Sequence, residues 1–188
     1  AASAVQLENF WNNWVKDKEL LSVLREQLAS GKLIQIPNAM KPEAALQLHE
    51  YLVESEFKVE DMRHFRAFSY HRHVINYRPN PAMEMLDVID TDLSMWSFLA
   101  QRNLTAFSPF VTQYRPGDYI EPHNDMAPNR VLTFILSLSK NWKHEFGGKF
   151  WWFGNFEAEP QGFMPSFNTL SLFLPRHSSY HMVNTVHM

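Results

Sequence analysis

His123 and Asp125 stand one residue apart in the run YRPGDYIEPHNDM (114–126), just after a Pro116-Gly117 turn. Successive side chains on an extended strand alternate in direction, so residues i and i+2 share a face. The imidazole of His123 and the carboxylate of Asp125 are therefore expected to aim at one point, with Asn124 facing away. Both groups are ligands of divalent first-row metals. A third ligand must come from another strand. His181 in the run YHMVNTV (180–186), 56 positions after Asp125, offers one, and His177 four residues earlier is its rival.

Two imidazoles and one carboxylate occupy one face of an octahedron and leave three positions open, an arrangement typical of non-haem Fe(II) oxygenases. The pair His71 and His73 has the same spacing, but no carboxylate or further histidine follows it in a matching pattern. These two read as ordinary strand histidines, and His187 as a solvated residue near the chain end.

Such ligands need strands to carry them. From Phe107 onward short β-like runs alternate with turns: FSPFVTQY, DYIEPH, RVLTFILSLS, GKFWWF, FEAEP, TLSLFLP and YHMVNTV, punctuated by Pro116-Gly117 and Gly147-Gly148. Many short strands at this spacing predict a sandwich or barrel-like pair of antiparallel sheets. The first half reads as mainly helical. Leu7, Phe10, Trp11, Trp14, Leu20, Leu21, Leu24 and Leu28 recur at helical spacing, with a break expected near Lys16–Lys18 and a stop at Gly31. KLIQIPNAM reads as a short strand and turn, and KPEAALQLHEYLVES as a helix with Pro42 in its first turn. Phe65–Tyr77 has strand composition, and Pro81–Asn103 reads as a third helix. The expected class is α+β with a mostly β core. A single domain, 1–188, is expected, with a helical support region over 1–106 and the β core over 107–188.

Bulk properties narrow the function. Net charge is −3 with no run of Lys or Arg, so the electrostatic footprint of a nucleic-acid binder is missing. With no cysteine, disulfides, thiolate metal sites and cysteine nucleophiles are excluded, which fits a reducing compartment. The N-terminal stretch lacks a basic start and a continuous apolar run, so it does not read as a signal peptide. No stretch approaches the roughly 18 apolar residues of a membrane span. A soluble, cytoplasmic protein is expected, with its oligomeric state open.

YRPGDYIEPHND, RVLTFILSLSKNW, FGGKFWWF and FNTLSLFLPRHSSYHMVNTV, in that order, resemble the double-stranded β-helix (jelly-roll, cupin-like) core of the 2-oxoglutarate- and Fe(II)-dependent dioxygenases. The prolyl-4-hydroxylase-like branch is the nearest. There a tyrosine-rich strand and Pro/Gly turn precede H-x-D, then come R-x-L-T, Gly-Gly opening a strand, and a distal H-x-V. The resemblance covers roughly Phe107 to Val186. It implies that His123, Asp125 and His181 are the metal ligands and catalytic centre, His181 being preferred over His177 on this ground. It also implies Fe(II), 2-oxoglutarate as co-substrate, O2, and ascorbate as an assay reductant.

The family usually holds the distal carboxylate of 2-oxoglutarate with an arginine nine or ten residues beyond the distal histidine. This sequence runs only seven residues past His181, to Met188. Either the chain continues further or another cation serves, with Arg130 and Arg176 as candidates. Tyr114 and Thr133 fall where the family places hydroxyl partners for that co-substrate. The implied reaction couples decarboxylation of 2-oxoglutarate to succinate and CO2 with hydroxylation of an unactivated C–H bond. An aspartate at 125 disfavours halogenation, because the family's halogenases have a small residue there.

Tyr119, Trp151 and Arg115 are candidate substrate contacts, since pockets combine aromatic surface with a few polar groups. A small-molecule substrate is expected, with a protein residue such as proline as the alternative. Two other classes remain as rivals: a non-catalytic metal- or ligand-binding module on the same fold, and a cupin-like metalloenzyme that does not use 2-oxoglutarate. Oxygen consumption separates the first, and 2-oxoglutarate binding with a redox-inert metal the second.

Overall fold

The computed structural model describes residues 5–65, 68–76 and 81–187. The first helical run is split into α1 (Val5–Phe10), a 3-10 turn at Asn13–Lys16 and α2 (Lys18–Ala29). The expected break near Lys16–Lys18 falls at Asp17, and a further, earlier one after Phe10 arises because the intervening chain is tied to the segment before α3. Trp11 bridges to Met40, the Trp14 indole donates to the Ala39 carbonyl at 2.8 Å, and the Asn12 amide donates to the Asn38 carbonyl. In α2 the Asp17 carboxylate caps the first turn by accepting from Leu20 N–H. Gly31 ends it at φ +84°, a conformation glycine adopts without a Cβ penalty.

α3 (Pro42–Glu54) buries Ala44, Ala45 and Leu48, with Pro42 in its first turn as expected. The predicted helix 81–103 is two: α4 (Pro81–Thr91) and α5 (Ser94–Ala100). Asp92 accepts from Ser94 N–H at 3.0 Å, so the chain restarts rather than continues.

The first half also supplies three strands. β1 (Ile34–Ile36) was expected; β2 (Phe57–Phe65) and β3 (Phe68–Ile75) form a hairpin where one strand was predicted. Of that prediction, Arg66, Ala67 and Tyr77 lie outside the described residues, as do chain-terminal residues 1–4 and 188. The second half gives β4 (Thr112–Gln113), β5 (Tyr119–His123), β6 (Thr133–Ser137), β7 (Phe150–Gly154), β8 (Gln161–Phe163), β9 (Thr169–Phe173) and β10 (Tyr180–Val183). The run FEAEP is not a strand. Phe156 adopts φ +67° and the Asn155 side chain accepts from Glu157 N–H, which makes a turn, and pairing resumes at Gln161.

The strands make two antiparallel sheets. One has the order β1-β9-β6; the other runs β2-β3-β5-β10-β7-β8, with β4 also paired to β3. Alternation along β9 shows how the layers stack. Leu170 and Leu172 are fully buried in one core with Trp11, Leu28, Met40, Leu48, Ile89 and Leu99 of the helical half. Phe173 points the other way, to Trp152 and His181 of the larger sheet. The helices therefore cover the outside of the small sheet, and the site lies between the two sheets. Trp11, Trp14, Trp96, Phe107 and Phe134 meet edge to face in the helix layer, with centroids 5.6–6.1 Å apart. Such pairs add to the burial of large aromatic area.

At the entry to β7, Gly147 has φ +67°, and a Cβ there would fall 2.4 Å from the Thr185 carbonyl. Only glycine permits the bridge between residue 147 and Val186, which holds the end of the chain beside β7.

Candidate metal centre

β5 and β10 are neighbours, and His123 lies directly opposite His181. Their ring centroids are 4.2 Å apart. Asp125 reaches the same place by a different route from the one its spacing suggests. β5 ends at His123, and Asp125 sits in the following loop at φ +62°. This left-handed turn, which aspartate tolerates better than most residues, folds the carboxylate back over the strand end. Asp125 Oδ1 is 3.1 Å from His123 Nε2, and Oδ2 is 3.4 Å from His181 Nε2. Among the described residues this is the one trio of His and acidic groups close enough to hold a single cation.

The hydrogen bonds fix which nitrogens are available. His123 Nδ1 contacts the Glu121 carbonyl at 2.8 Å, and His181 Nδ1 the Ser179 carbonyl at 2.7 Å. A carbonyl only accepts, so each Nδ1 carries the hydrogen. The neutral imidazoles then present Nε2 lone pairs to a carboxylate that also only accepts. Such a convergence of acceptors calls for a cation or protons between them, and a backbone-anchored Nδ1–H is the usual support of a metal-ligating histidine. Burial would raise the Asp125 carboxyl, but the imidazoles of His123 and His181 beside it favour its charged form and hold it far below the usual carboxylate range. The Thr133 hydroxyl lies 3.3 Å from Oδ2 and steadies it. The donor set fits a hard-to-borderline divalent ion with open positions.

Aromatic rings enclose the imidazoles. Phe68 stacks on His123 at 4.8 Å, and Phe150 on His181 at 5.5 Å, with Trp152 and Phe173 behind. This follows from the register: Trp152 pairs with His181 and Trp151 with Met182, so Phe150 and Trp152 face the site. Trp151 is on the reverse of the sheet, against Gly162 and beneath Lys149. Tyr119 pairs with His71 on that reverse face too, while Ile120 and Tyr70 take the inner one. The structure thus turns two of the candidate substrate contacts away from the centre. Arg115 does not reach it either: its guanidinium is exposed and donates to Gln113.

The co-substrate candidates divide similarly. Tyr114 lies inside, where burial pushes its phenol up, opposed by the Arg72 guanidinium beside it; Asp125 is among the charges it feels. Arg130 sits at the rim, with Nη1 3.7 Å from Asp125 Oδ1. Arg176 is turned to the helical half and donates to the Ala29 carbonyl at 2.7 Å. His177 is exposed on the loop before β10.

Three participants escape a reading by motif. Arg72 shares its face of β3 with Phe68, and so with His123; it lies over the Tyr70 ring and is bonded to Glu60. Ser179 is buried, with its hydroxyl 2.8 Å from the Asn124 carbonyl, tying the His-x-Asp loop to the start of β10. Asp118 is buried on the reverse face and accepts from His71 Nδ1, His73 Nδ1 and Arg115 N–H at 2.6, 2.6 and 2.7 Å. The histidines that read as ordinary strand residues are the partners of a buried carboxylate. The alternation of His71, Arg72 and His73 was a visible signal, but the acid it serves comes from another strand pair.

The model of the 2OG-Fe(II) oxygenase superfamily matches residues 110–188. That segment contains all three members of the trio, and its likeness is to the oxygenases that take Fe(II), 2-oxoglutarate and O2. The fold is prolyl-4-hydroxylase-like. A prolyl-4-hydroxylase from Pseudomonas putida superposes with a TM-score of 0.68 at 17% identity, over 90% of this chain and 94% of that one. A prolyl hydroxylase from Trichoplax adhaerens, solved with a peptide fragment of the hypoxia inducible factor oxygen degradation domain, gives 0.67 at 19%, over 94% and 88%. A 2OG-Fe(II) oxygenase family oxidoreductase from Burkholderia pseudomallei gives 0.65 at 14%, over 89% and 84%. No curated protein matches the chain by sequence.

Proposed function

We propose that this protein hydroxylates an unactivated C–H bond of a small molecule, and that His123, Asp125 and His181 hold its Fe(II). The observation that carries this reading is the convergence of two Nε2 lone pairs and a carboxylate on one point. Bound iron and 2-oxoglutarate supply the oxidising chemistry; the chain supplies ligation, orientation and exclusion of water. The carbonyls of Glu121 and Ser179 hold the imidazoles in the metal-binding tautomer. Phe68, Phe150, Trp152 and Phe173 keep the imidazole faces dry. Tyr114, backed by Arg72, offers a hydroxyl and a cation on the inner face for a carboxylate of the co-substrate. Residues 107–188 act as the oxygenase core and 1–106 as its brace.

A peptidyl substrate is the second reading, favoured by the likeness to a prolyl hydroxylase solved with a peptide. The first test is succinate formation from 2-oxoglutarate with Fe(II) and ascorbate, which His123→Ala should abolish. Mass spectrometry of a metabolite and peptide library, scored for addition of one oxygen atom, then separates the two substrate classes. A protein that binds no metal and forms no succinate would sink the assignment.

A further inference from the structure

Where α2 ends at Ala29 and α5 at Ala100, the two helix termini meet the start of β6 and the loop after β9. A cavity of about 280 Å³ opens between them, and Arg102, Arg130 and Arg176 all line it. A second hollow of about 390 Å³ adjoins it, lined by Met126, Ala127 and Pro128. Arg130 and Pro175 belong to both. Among the described residues no carboxylate lines either one.

Three guanidinium groups around one cavity repel each other unless an anion joins them, and the planar fork suits carboxylate or phosphate oxygens. Their existing bonds leave donors to spare. Arg176 gives Nη1 to the Ala29 carbonyl, and Arg130 gives Nη1 to Asp125. The Arg102 guanidinium has no acceptor among the described residues. Arg176 already neutralises the carbonyl end of α2 nearest the cavity.

We propose that this two-part groove is the substrate site for a small organic anion, with its carboxylate or phosphate head among the arginines and an apolar portion along Met126, Ala127 and Pro128. Arg130 lines both parts and its Nη1 sits 3.7 Å from Asp125 Oδ1, so one side chain of the groove reaches the candidate metal centre. The assignment of this ligand as substrate rests on the proposed oxygenase function; its binding does not.

The test is calorimetric titration of the full, metal-free chain with octanoate, octyl phosphate, octan-1-ol and octylammonium. Octanoate or octyl phosphate should bind and the neutral and cationic chains should not, the tighter of the two anions naming the head group. Arg102→Ala should weaken that binding on the order of tenfold, the loss expected for one charge-assisted bond, while Arg102→Lys retains most of it. Arg102 is exposed, so its melting temperature should not move. Equal binding of octanol, no heat with either anion, or wild-type affinity in both Arg102→Ala and the Arg102→Ala/Arg176→Ala pair would overturn the proposal. Tight 2-oxoglutarate binding lost in Arg102→Ala would also overturn it, by giving the arginines to the co-substrate. Because no metal is present, failure here leaves the iron reading intact, and failure of the succinate assay leaves this binding result intact.

Discussion

His123 and His181 face each other across β5 and β10, and both direct Nε2 at the carboxylate of Asp125. Three acceptors in one spot make the folded chain a better metal binder than the unfolded one. A redox-inert divalent ion should therefore raise the melting temperature. At about 100 times its Kd the gain is roughly 2.7 kcal/mol. Asp125→Ala should abolish the gain, and differential scanning calorimetry with and without chelator reads it.

Ser179 acts on the centre through its neighbours. It links the Asn124 carbonyl to the loop before β10, and its own carbonyl fixes the His181 tautomer. Ser179→Ala should lower metal affinity by about tenfold, the lower end of the loss expected for outer-shell partners. Ser179→Thr should recover part of it. A purely structural role would lower the melting temperature and leave the affinity of the folded protein unchanged.

Tyr114 and Arg72 form the hydroxyl-cation pair on the inner face. Tyr114→Phe keeps the ring and removes the hydrogen bond. The expected result is a rise on the order of tenfold in the 2-oxoglutarate KM, the worth of a bond to a charged group. The kcat of uncoupled turnover should stay within about twofold. An unchanged KM would remove Tyr114 from the co-substrate site.

Asp118 predicts a pH dependence of stability. Burial pushes its carboxyl up, but the Arg115 amide and the His71 and His73 imidazoles together hold it below the usual range. A folded-state pKa below the unfolded value, about 3.9, gives stability that is present above that value and lost as pH falls through the folded one. Asp118→Asn should cost roughly 1.5–3 kcal/mol at pH 6–7. The gap between variant and wild type should narrow below about pH 4. Urea denaturation from pH 3 to 7 measures it; a gap that widens on acidification would contradict the sign.

Trp11 anchors the helix layer, 1% exposed and edge-on to Trp14, Trp96 and Phe134. Trp11→Ala should destabilise by about 3–5 kcal/mol. Metal affinity in the still-folded fraction should be preserved, since the Trp11 layer lies behind the small sheet. Denaturation and metal titration together check this.

Much of the fold was legible in the chain. Apolar spacing marked α2 and α3, with Gly31 and Pro42 as their boundaries, and most of the late strands lay inside the predicted runs. The errors fall where contacts distant in sequence prevail over local pattern. Trp11, Asn12 and Trp14 break their helix to bond the chain before α3, which no local periodicity encodes. β2 went unread because its residues become a strand only by pairing with β3.

The chemistry divides in the same way. Residue type and spacing offered His123 and Asp125 as a candidate pair, and the ordered motifs that resemble the dioxygenases put His181 before His177 as the third ligand, because imidazole and carboxylate have few alternative uses in that pattern. Tertiary structure decided how the trio meets. Asp125 arrives through a left-handed loop rather than along a strand, since the strand ends at His123. It also decided which neighbours count, because a sheet has two faces and register, not composition, assigns them. Trp152, Phe150 and Arg72 fell on the inner face and Trp151 and Tyr119 on the outer one. Arg102, Arg130 and Arg176 lie far apart in sequence, and only the packing of two helix ends against β6 and the loop after β9 sets them around one cavity.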